Sequence, residues 1–266
     1  VIRKIGMPVI DGLYHPYGTN MDNILHNEPL IVCSNHYHYC DQYVIEKIMY
    51  DAWKKKAKPL GISPRIIHWF AKNEYSKGIK SNFYRAANCI FVKRGSSEAR
   101  ECLIEGIDAL NKGHSVGIFP EGTRNTYFFA KYELEKALKR FEELSNHRNI
   151  NTKELETTLN LIKELKSRVE LCRKDLEAKP KNAKIREDEP ILGFHLGAAQ
   201  MSKETGVKML PVAVTGDYAK DSNNVLVNFG EPVDSFNMSD LEATEEIRGK
   251  ILKLVNENRK ITNWKI

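Results

Sequence analysis

The chain has 266 residues, 41% of them hydrophobic, with 41 Lys and Arg against 35 Asp and Glu for a formal net charge of +6. A chain of this length and composition can bury a sizeable core, which excludes a disordered polymer and leaves one domain with a large insertion or two small domains. The positive balance suits an anionic partner, whether nucleic acid, an acidic membrane surface or a phosphorylated small molecule, and does not choose among them.

Residues 1 to 29 mix Gly, Pro, His and Asn with short apolar groups, so they read as an irregular lead-in with one short strand at most. The apolar run Leu30 to Cys33 reads as a strand that stops at Ser34-Asn35, and His36 sits on the turn leaving it. Asp41 then opens a helix carrying Val44, Ile45 and Ile48, which runs to about Trp53 and ends in Lys54, Lys55, Lys56 and Lys58. That lysine cluster is either a solvated helix end or a contact with anionic lipid, for which Trp53, Trp69 and Phe70 would supply interfacial aromatics. Strands follow at Ile66 to Phe70, delivering Lys72, and at Asn88 to Val92, delivering Arg94. Glu98 to Leu110 has helical periodicity, and Val116 to Phe119 is a strand running straight into Pro120-Glu121-Gly122-Thr123-Arg124.

From Tyr127 to Pro190 charged residues dominate and glycine is absent. Leu134, Ala137, Phe141 and Leu144 form one helical stripe; Leu155, Ile162, Leu165, Val169, Cys172 and Leu176 form another. The pattern predicts an inserted antiparallel helical hairpin at 127–190 between two parts of an α/β domain at 1–126 and 191–266. It is either a solvated hairpin closing on itself or a docking arm for a partner or membrane. After it, a helix is expected over Ile191 to Lys203, a strand over Lys208 to Val214 whose Pro211 points to an edge or a bulge, a strand over Val225 to Phe229, and a closing helix over Ser239 to Asn258.

Strands alternating with helices imply a mostly parallel central sheet flanked by helices, and ligand groups collect where such strands end. Four of them end in His36, Lys72, Arg94 and the segment Glu121 to Arg124, so His36 and Glu121 must lie within reach of one small substrate. Residues five apart cannot share a helix face, so His36 and Asp41 can meet only across a strand-turn-helix junction. There the carboxylate would hold one imidazole nitrogen and leave the other as a base. Gly122 permits close backbone approach, successive amides can cradle an anion, and Arg124 offers a planar fork to phosphate. Five cysteines without a CxxC pair point to neither a disulfide framework nor a zinc ribbon and suit a reducing setting. His36, His38, Cys40 and Asp41 on one short turn lack the further ligands a metal would need, so no metal is expected.

Asn35-His36, four residues and Asp41, then Phe91-Val-Lys-Arg94-Gly-Ser, Phe119-Pro-Glu-Gly-Thr-Arg124 and Leu210-Pro211-Val-Ala-Val, in this order, resemble the four motif blocks of the glycerolipid acyltransferase family. The resemblance implies an enzyme moving a fatty acyl group from an acyl thioester, acyl-CoA or acyl carrier protein, or from an acyl phosphate, to the free hydroxyl of 1-acylglycerol 3-phosphate. The product would be phosphatidate. Glycerol 3-phosphate and other lysophospholipids remain alternative acceptors, and a non-enzymatic docking module remains an alternative class. It implies His36 as general base with Asp41 orienting it, and Lys72, Arg94, Glu121, Gly122, Thr123 and Arg124 for the acceptor, the basic groups on its phosphate, with Pro211 near the acyl path. No cofactor is implied, nucleic acid is not expected as a partner, and a peripheral place at the cytoplasmic membrane face is. No run approaches the ~18 apolar residues that span a bilayer, and a chain that begins at Val1 rather than methionine leaves room for an anchor ahead of it. Departures from the family pattern are His38 for serine, Asn88 for glycine, Lys93 for an acidic residue, His195 for lysine, and the hairpin itself.

Overall fold

The computed structural model describes residues 12–57, 59, 65–78, 80–92, 99–146, 152–177, 189–216, 218 and 225–261. In chain order the strands are β1 (Tyr17–Thr19), β2 (Ile31–Ser34), β3 (Ile67–Lys72), β4 (Ile90–Val92), β5 (Ser115–Ile118), β6 (Met209–Thr215) and β7 (Leu226–Phe229). The helices are α1 (Asp41–Ala57), α2 (Lys80–Ala86), α3 (Ala99–Asn111), α4 (Thr126–Ser145), α5 (Thr152–Glu177), α6 (Gly197–Thr205) and α7 (Asp240–Ile261). Short 3₁₀ turns lie at Met21–Asn23 and Asn73–Ser76.

The described strands form a seven-stranded sheet in the order β1-β7-β6-β2-β5-β3-β4. Every pairing is parallel except that between β6 and β7. The central strands are apolar up to their last residues, Ser34 and Thr215, because both their faces are covered: all four residues of β2 and all seven of β6 are buried. On one face Val32, Trp69, Leu210 and Val212 pack against Val44, Ile45, Met49 and Trp53 of α1. On the other, Ile31, Val116, Met209 and Ala213 pack against α3, α6 and α7 through Leu110, Met201, Ile247 and Ile251. Each such side chain contributes about 1.5–3 kcal/mol by leaving water.

Several sequence expectations are corrected here. Of the edge or bulge expected at Pro211, the edge is ruled out, since β6 lies between β2 and β7. The pairs Met209↔Val233 and Val212↔Phe229 leave one extra residue on the β7 side, so the proline, which has no N–H to give, faces a bulge. The helix expected from Ile191 begins only at Gly197; the preceding stretch is irregular, and backbone groups in it are claimed by side chains, Leu192 N–H by Glu121 and Leu192 C=O by Arg248. Trp53 and Trp69 are only 3% and 2% exposed and belong to the core, so neither is an interfacial aromatic. The one short strand allowed in the lead-in is β1, which the sequence reading did not place by residue, and α2 was missed. Asn88, where glycine was the family's residue, has φ of 56°, a left-handed conformation that asparagine tolerates.

Helices α4 and α5 lie antiparallel. Arg140 pairs with Glu154 at 2.6 Å and Arg168 with Glu133 at 2.7 Å, and Ala137, Ile162 and Leu165 fill the seam between them with Leu134 and Phe141. Among the described residues no helix is long and apolar enough to cross a membrane.

Candidate active site

Strand β2 ends at Ser34, and the next two side chains are fixed from opposite sides. Asn35 is fully buried and bonds both main-chain groups of Val214 on β6, at 2.8 Å each, which pins the turn to the neighbouring strand. His36 is then held through its backbone: its N–H donates to Glu121 Oε1 at 2.8 Å and its carbonyl accepts from Asn125 N–H at 2.7 Å. Its ring stacks on Phe119, with centroids 4.0 Å apart and planes 15° from parallel, and Phe119 stacks in turn on Trp69 at 5.2 Å. Gly117 makes room for that column, since a Cβ there would lie 2.5 Å from the Trp69 indole.

Asp41 is fully buried at the start of α1, and its carboxylate does not cap its own helix. Oδ2 accepts from His36 Nδ1 at 2.9 Å and from the N–H groups of Tyr37 and His38 at 2.7 and 2.8 Å. Oδ1 accepts a short hydrogen bond from the hydroxyl of Tyr218. The histidine–aspartate pair thus forms across the strand-turn-helix junction. Nδ1 carries the proton toward the carboxylate, which leaves Nε2 as the ring nitrogen available to a substrate. His38 is held apart from this chemistry: it stacks on Tyr218 at 4.1 Å, and burial is the main cause of an imidazole pKa below its ordinary value, with the Asp41 charge pulling the other way.

His36 lines a cavity of about 890 Å³ together with Lys72, Glu121, Gly122, Thr123 and Arg124. The strand ends of β2, β3 and β5 therefore do converge. Lys72 and Arg124 give one part of the cavity cationic character. Where α3 and α6 face β3 and β5, its wall is apolar, formed by Phe70, Cys102, Leu103, Ile118 and Phe194. Gly122 has φ of 65°, and a Cβ there would sit 2.8 Å from His195 Nε2, so the turn and the His195 ring close on each other. His195 N–H donates to Pro120 C=O at 2.9 Å, fixing that approach.

Two expected site residues stand differently, and a third lies outside the described residues. Glu121, expected at the acceptor, is 1% exposed with both oxygens taken by main-chain donors, His36 N–H and Leu192 N–H. Burial pushes its pKa up to about 8, although the two N–H bonds favour the ionised form. Pro211 contributes nothing to the cavity wall; its ring lies against Gly230. Arg94 lies outside the described residues. Sequence reasoning missed Tyr218, Tyr37 and Arg248. Tyr37 donates its hydroxyl to Pro190 C=O at 2.7 Å, and Arg248, 3% exposed, ties the segment Glu189 to Leu192 to α7. Among the described residues no group of three or more His, Cys, Asp or Glu is placed to hold a metal ion.

A family model described as Acyltransferase matches residues 17–215. No curated protein gives a significant match. Among solved structures, the crystal structure of the 1-acyl-sn-glycerophosphate (LPA) acyltransferase PlsC from Thermotoga maritima is similar with a TM-score of 0.55 and 20% sequence identity, over 96% of this chain and 77% of that one. At that identity the likeness is one of fold.

Proposed function

The chain belongs to the acyltransferase family, and from that premise we propose that it transfers a fatty acyl group from an acyl thioester to the free hydroxyl of 1-acylglycerol 3-phosphate, forming phosphatidate. The observation that carries the reading is the cavity: one histidine with an open Nε2 lies on a wall shared by cationic and apolar parts, which is the division a phosphorylated lipid requires.

In this reading His36 Nε2 takes the proton of the acceptor hydroxyl as its oxygen attacks the thioester carbonyl. Asp41 holds the ring and stabilises the imidazolium that forms. When the tetrahedral intermediate collapses, the C–S bond breaks and the thiolate leaves with the proton from His36, so the histidine returns neutral and no acyl-enzyme is formed. Arg124 and Lys72 bind the acceptor phosphate, the turn at Gly122 and Thr123 lies against it, and Arg94 joins them by its place in the motif. Glu121 acts through the backbone of His36 rather than on the acceptor. The apolar wall takes an acyl chain. No cofactor enters the scheme. The lipid acceptor, and the exposed Lys54, Lys55 and Lys56 at the end of α1, support peripheral contact with an anionic membrane, at its cytoplasmic face.

The test is acyl transfer from labelled acyl-CoA and acyl carrier protein to lysophosphatidate, with glycerol 3-phosphate and other lysophospholipids as competitors, for wild type and His36→Ala. Loss of about 10²–10⁴-fold in the variant with folding unchanged is the expected outcome. Equal activity would remove His36 from the chemistry, and preference for a competitor would replace the acceptor.

A further inference from the structure

The carboxylate of Asp41 has one donor that comes from outside the motif blocks. Tyr218, just beyond the end of β6, reaches across 177 positions of sequence to give its hydroxyl to Oδ1, while the three other bonds all fall on Oδ2. The ring is 9% exposed and is clamped by two neighbours: His38 stacks on it at 4.1 Å, and Tyr14 meets it edge-on at 5.3 Å and 73°. That packing leaves the hydroxyl little freedom to turn elsewhere. Burial, and then the Asp41 charge, hold the phenol protonated, so it donates and does not accept.

We propose that Tyr218 is a positioning residue for acyl transfer: its hydroxyl fixes Oδ1 of Asp41 and limits how strongly the carboxylate attracts the proton on His36. The proposal rests on the reading of His36 as the base. A fully buried carboxylate with one oxygen lacking its donor concentrates its charge on the other oxygen, here the one bonded to His36 Nδ1. That would favour the imidazolium and leave less neutral imidazole at neutral pH. The Tyr218 bond spreads the charge and stops the carboxylate from rotating, so the base stays aligned. The other groups facing this carboxylate are His36, His38, Tyr37 and Cys40 from the turn and Glu121 from the motif loop, while Tyr14 of the lead-in meets Cys40 and Tyr218, and Arg124 acts on His38. His36 and the N–H groups of Tyr37 and His38 donate to Oδ2, and the Tyr218 hydroxyl donates to Oδ1.

The experiment follows the His36 ring by ¹⁵N NMR through a pH titration of wild type, Tyr218→Phe and Tyr14→Phe, with the signal assigned by His36→Gln, alongside kcat and KM. In Tyr218→Phe the His36 titration moves up by about half to one pH unit and the acid limb of kcat/KM moves with it. The kcat at pH 7 falls by roughly 10-fold, as expected for a bond to a charged group, and both KM values stay within about twofold. Tyr14→Phe keeps the aromatic roof, removes a hydroxyl that touches Cys40, and leaves the titration in place. If Tyr218→Phe does not fold, 3-fluorotyrosine inserted at 218, a stronger donor of the same shape, moves the His36 titration down. A His36 titration unmoved in a folded variant, with only a lower melting temperature, would overturn the proposal and leave Tyr218 as packing. The NMR arm needs no substrate, so a failure of lysophosphatidate as acceptor and a failure of Tyr218 are read separately.

Discussion

Glu121 holds the main chain of His36: its Oε1 accepts the histidine N–H at 2.8 Å while Oε2 accepts Leu192 N–H at 2.9 Å. The glutamate thus joins the turn that carries His36, the turn after β5 and the segment returning from the hairpin at a single buried point. With its pKa pushed up to about 8 by burial, it binds a proton in the folded state that the unfolded chain, near the ordinary value of 4.5, has already released. The sign follows: stability from this group is fully present below about pH 4.5 and is lost as pH rises through about 8. His26 and His38, whose pKa values are lowered, contribute the opposite slope, so the comparison must be made against a variant. Glu121→Gln removes the descending component, and it puts an amide donor against one of the two N–H groups, costing about 1–3 kcal/mol. Thermal melts at a series of pH values from 4.5 to 8.5 check both; parallel curves for the two proteins would show that Glu121 does not titrate in this window.

Much of this site was legible in the sequence because parallel strands end where side chains must gather, and the ends at His36, Lys72 and Glu121 to Arg124 do so. The strand-turn-helix junction at His36 and Asp41 was legible too, since spacing alone ruled out a single helix. What failed depended on contacts far along the chain. A short strand in the lead-in was expected but not placed: β1 has only Tyr17-Gly18-Thr19 and is a strand because β7, about two hundred residues later, pairs with it. Nothing local to Tyr218 says that it meets Asp41. Glu121 was assigned to the acceptor by the family resemblance alone; in the fold it is buried against two amides on separate segments that no local pattern reveals. Ile191 to Lys203 reads as one helix, yet Glu121 and Arg248 take the main-chain groups of Leu192 and the helix starts at Gly197.

Gly122 sets the gap between the motif turn and His195. Its φ of 65° is one that alanine adopts at a cost of about 1–2 kcal/mol, and the added Cβ would stand 2.8 Å from His195 Nε2. The imidazole can swing away, so Gly122→Ala is expected to fold. The turn beside Thr123 and Arg124 then shifts, and steady-state kinetics should give an acceptor KM raised roughly tenfold with the donor KM little changed. Equal rises in both would place the donor against this turn as well.

Cys102 and Leu103 of α3 and Phe194 form the apolar wall of the cavity, where α3 and α6 face β3 and β5. If an acyl chain occupies it, filling it shortens the chain that fits. Cys102→Leu, at a position 5% exposed, is therefore expected to shift preference toward shorter acyl thioesters, with discrimination of about 10-fold or more for each methylene excluded. Competition among acyl-CoA substrates of graded length measures it. An unchanged profile, with Tm lowered by the overpacking, would mean that the chain runs elsewhere.

The hairpin touches the chemistry at its root and not along its length. At the root, Asn125 N–H bonds His36 C=O at 2.7 Å, Tyr37 stacks on Phe128 at 5.5 Å, and Pro190 C=O accepts from both Tyr37 and Asn125, at 2.7 and 3.1 Å. Farther out, α4 and α5 hold each other through Ala137, Ile162 and Leu165 and through exposed ion pairs worth little individually. Replacing residues 138–161 by a short Gly/Ser linker should leave acyl transfer in detergent within about threefold. Tyr37→Phe, which leaves Pro190 C=O with only the longer of its two bonds, should cost about 1 kcal/mol of stability and lower kcat despite keeping the whole hairpin. If the shortened protein is active in detergent but no longer sediments with anionic vesicles, the outer hairpin is a membrane-docking arm. If it still sediments, the hairpin serves the α/β domain only by gripping the turn that carries His36, and the exposed lysines of α1 become the surface to mutate.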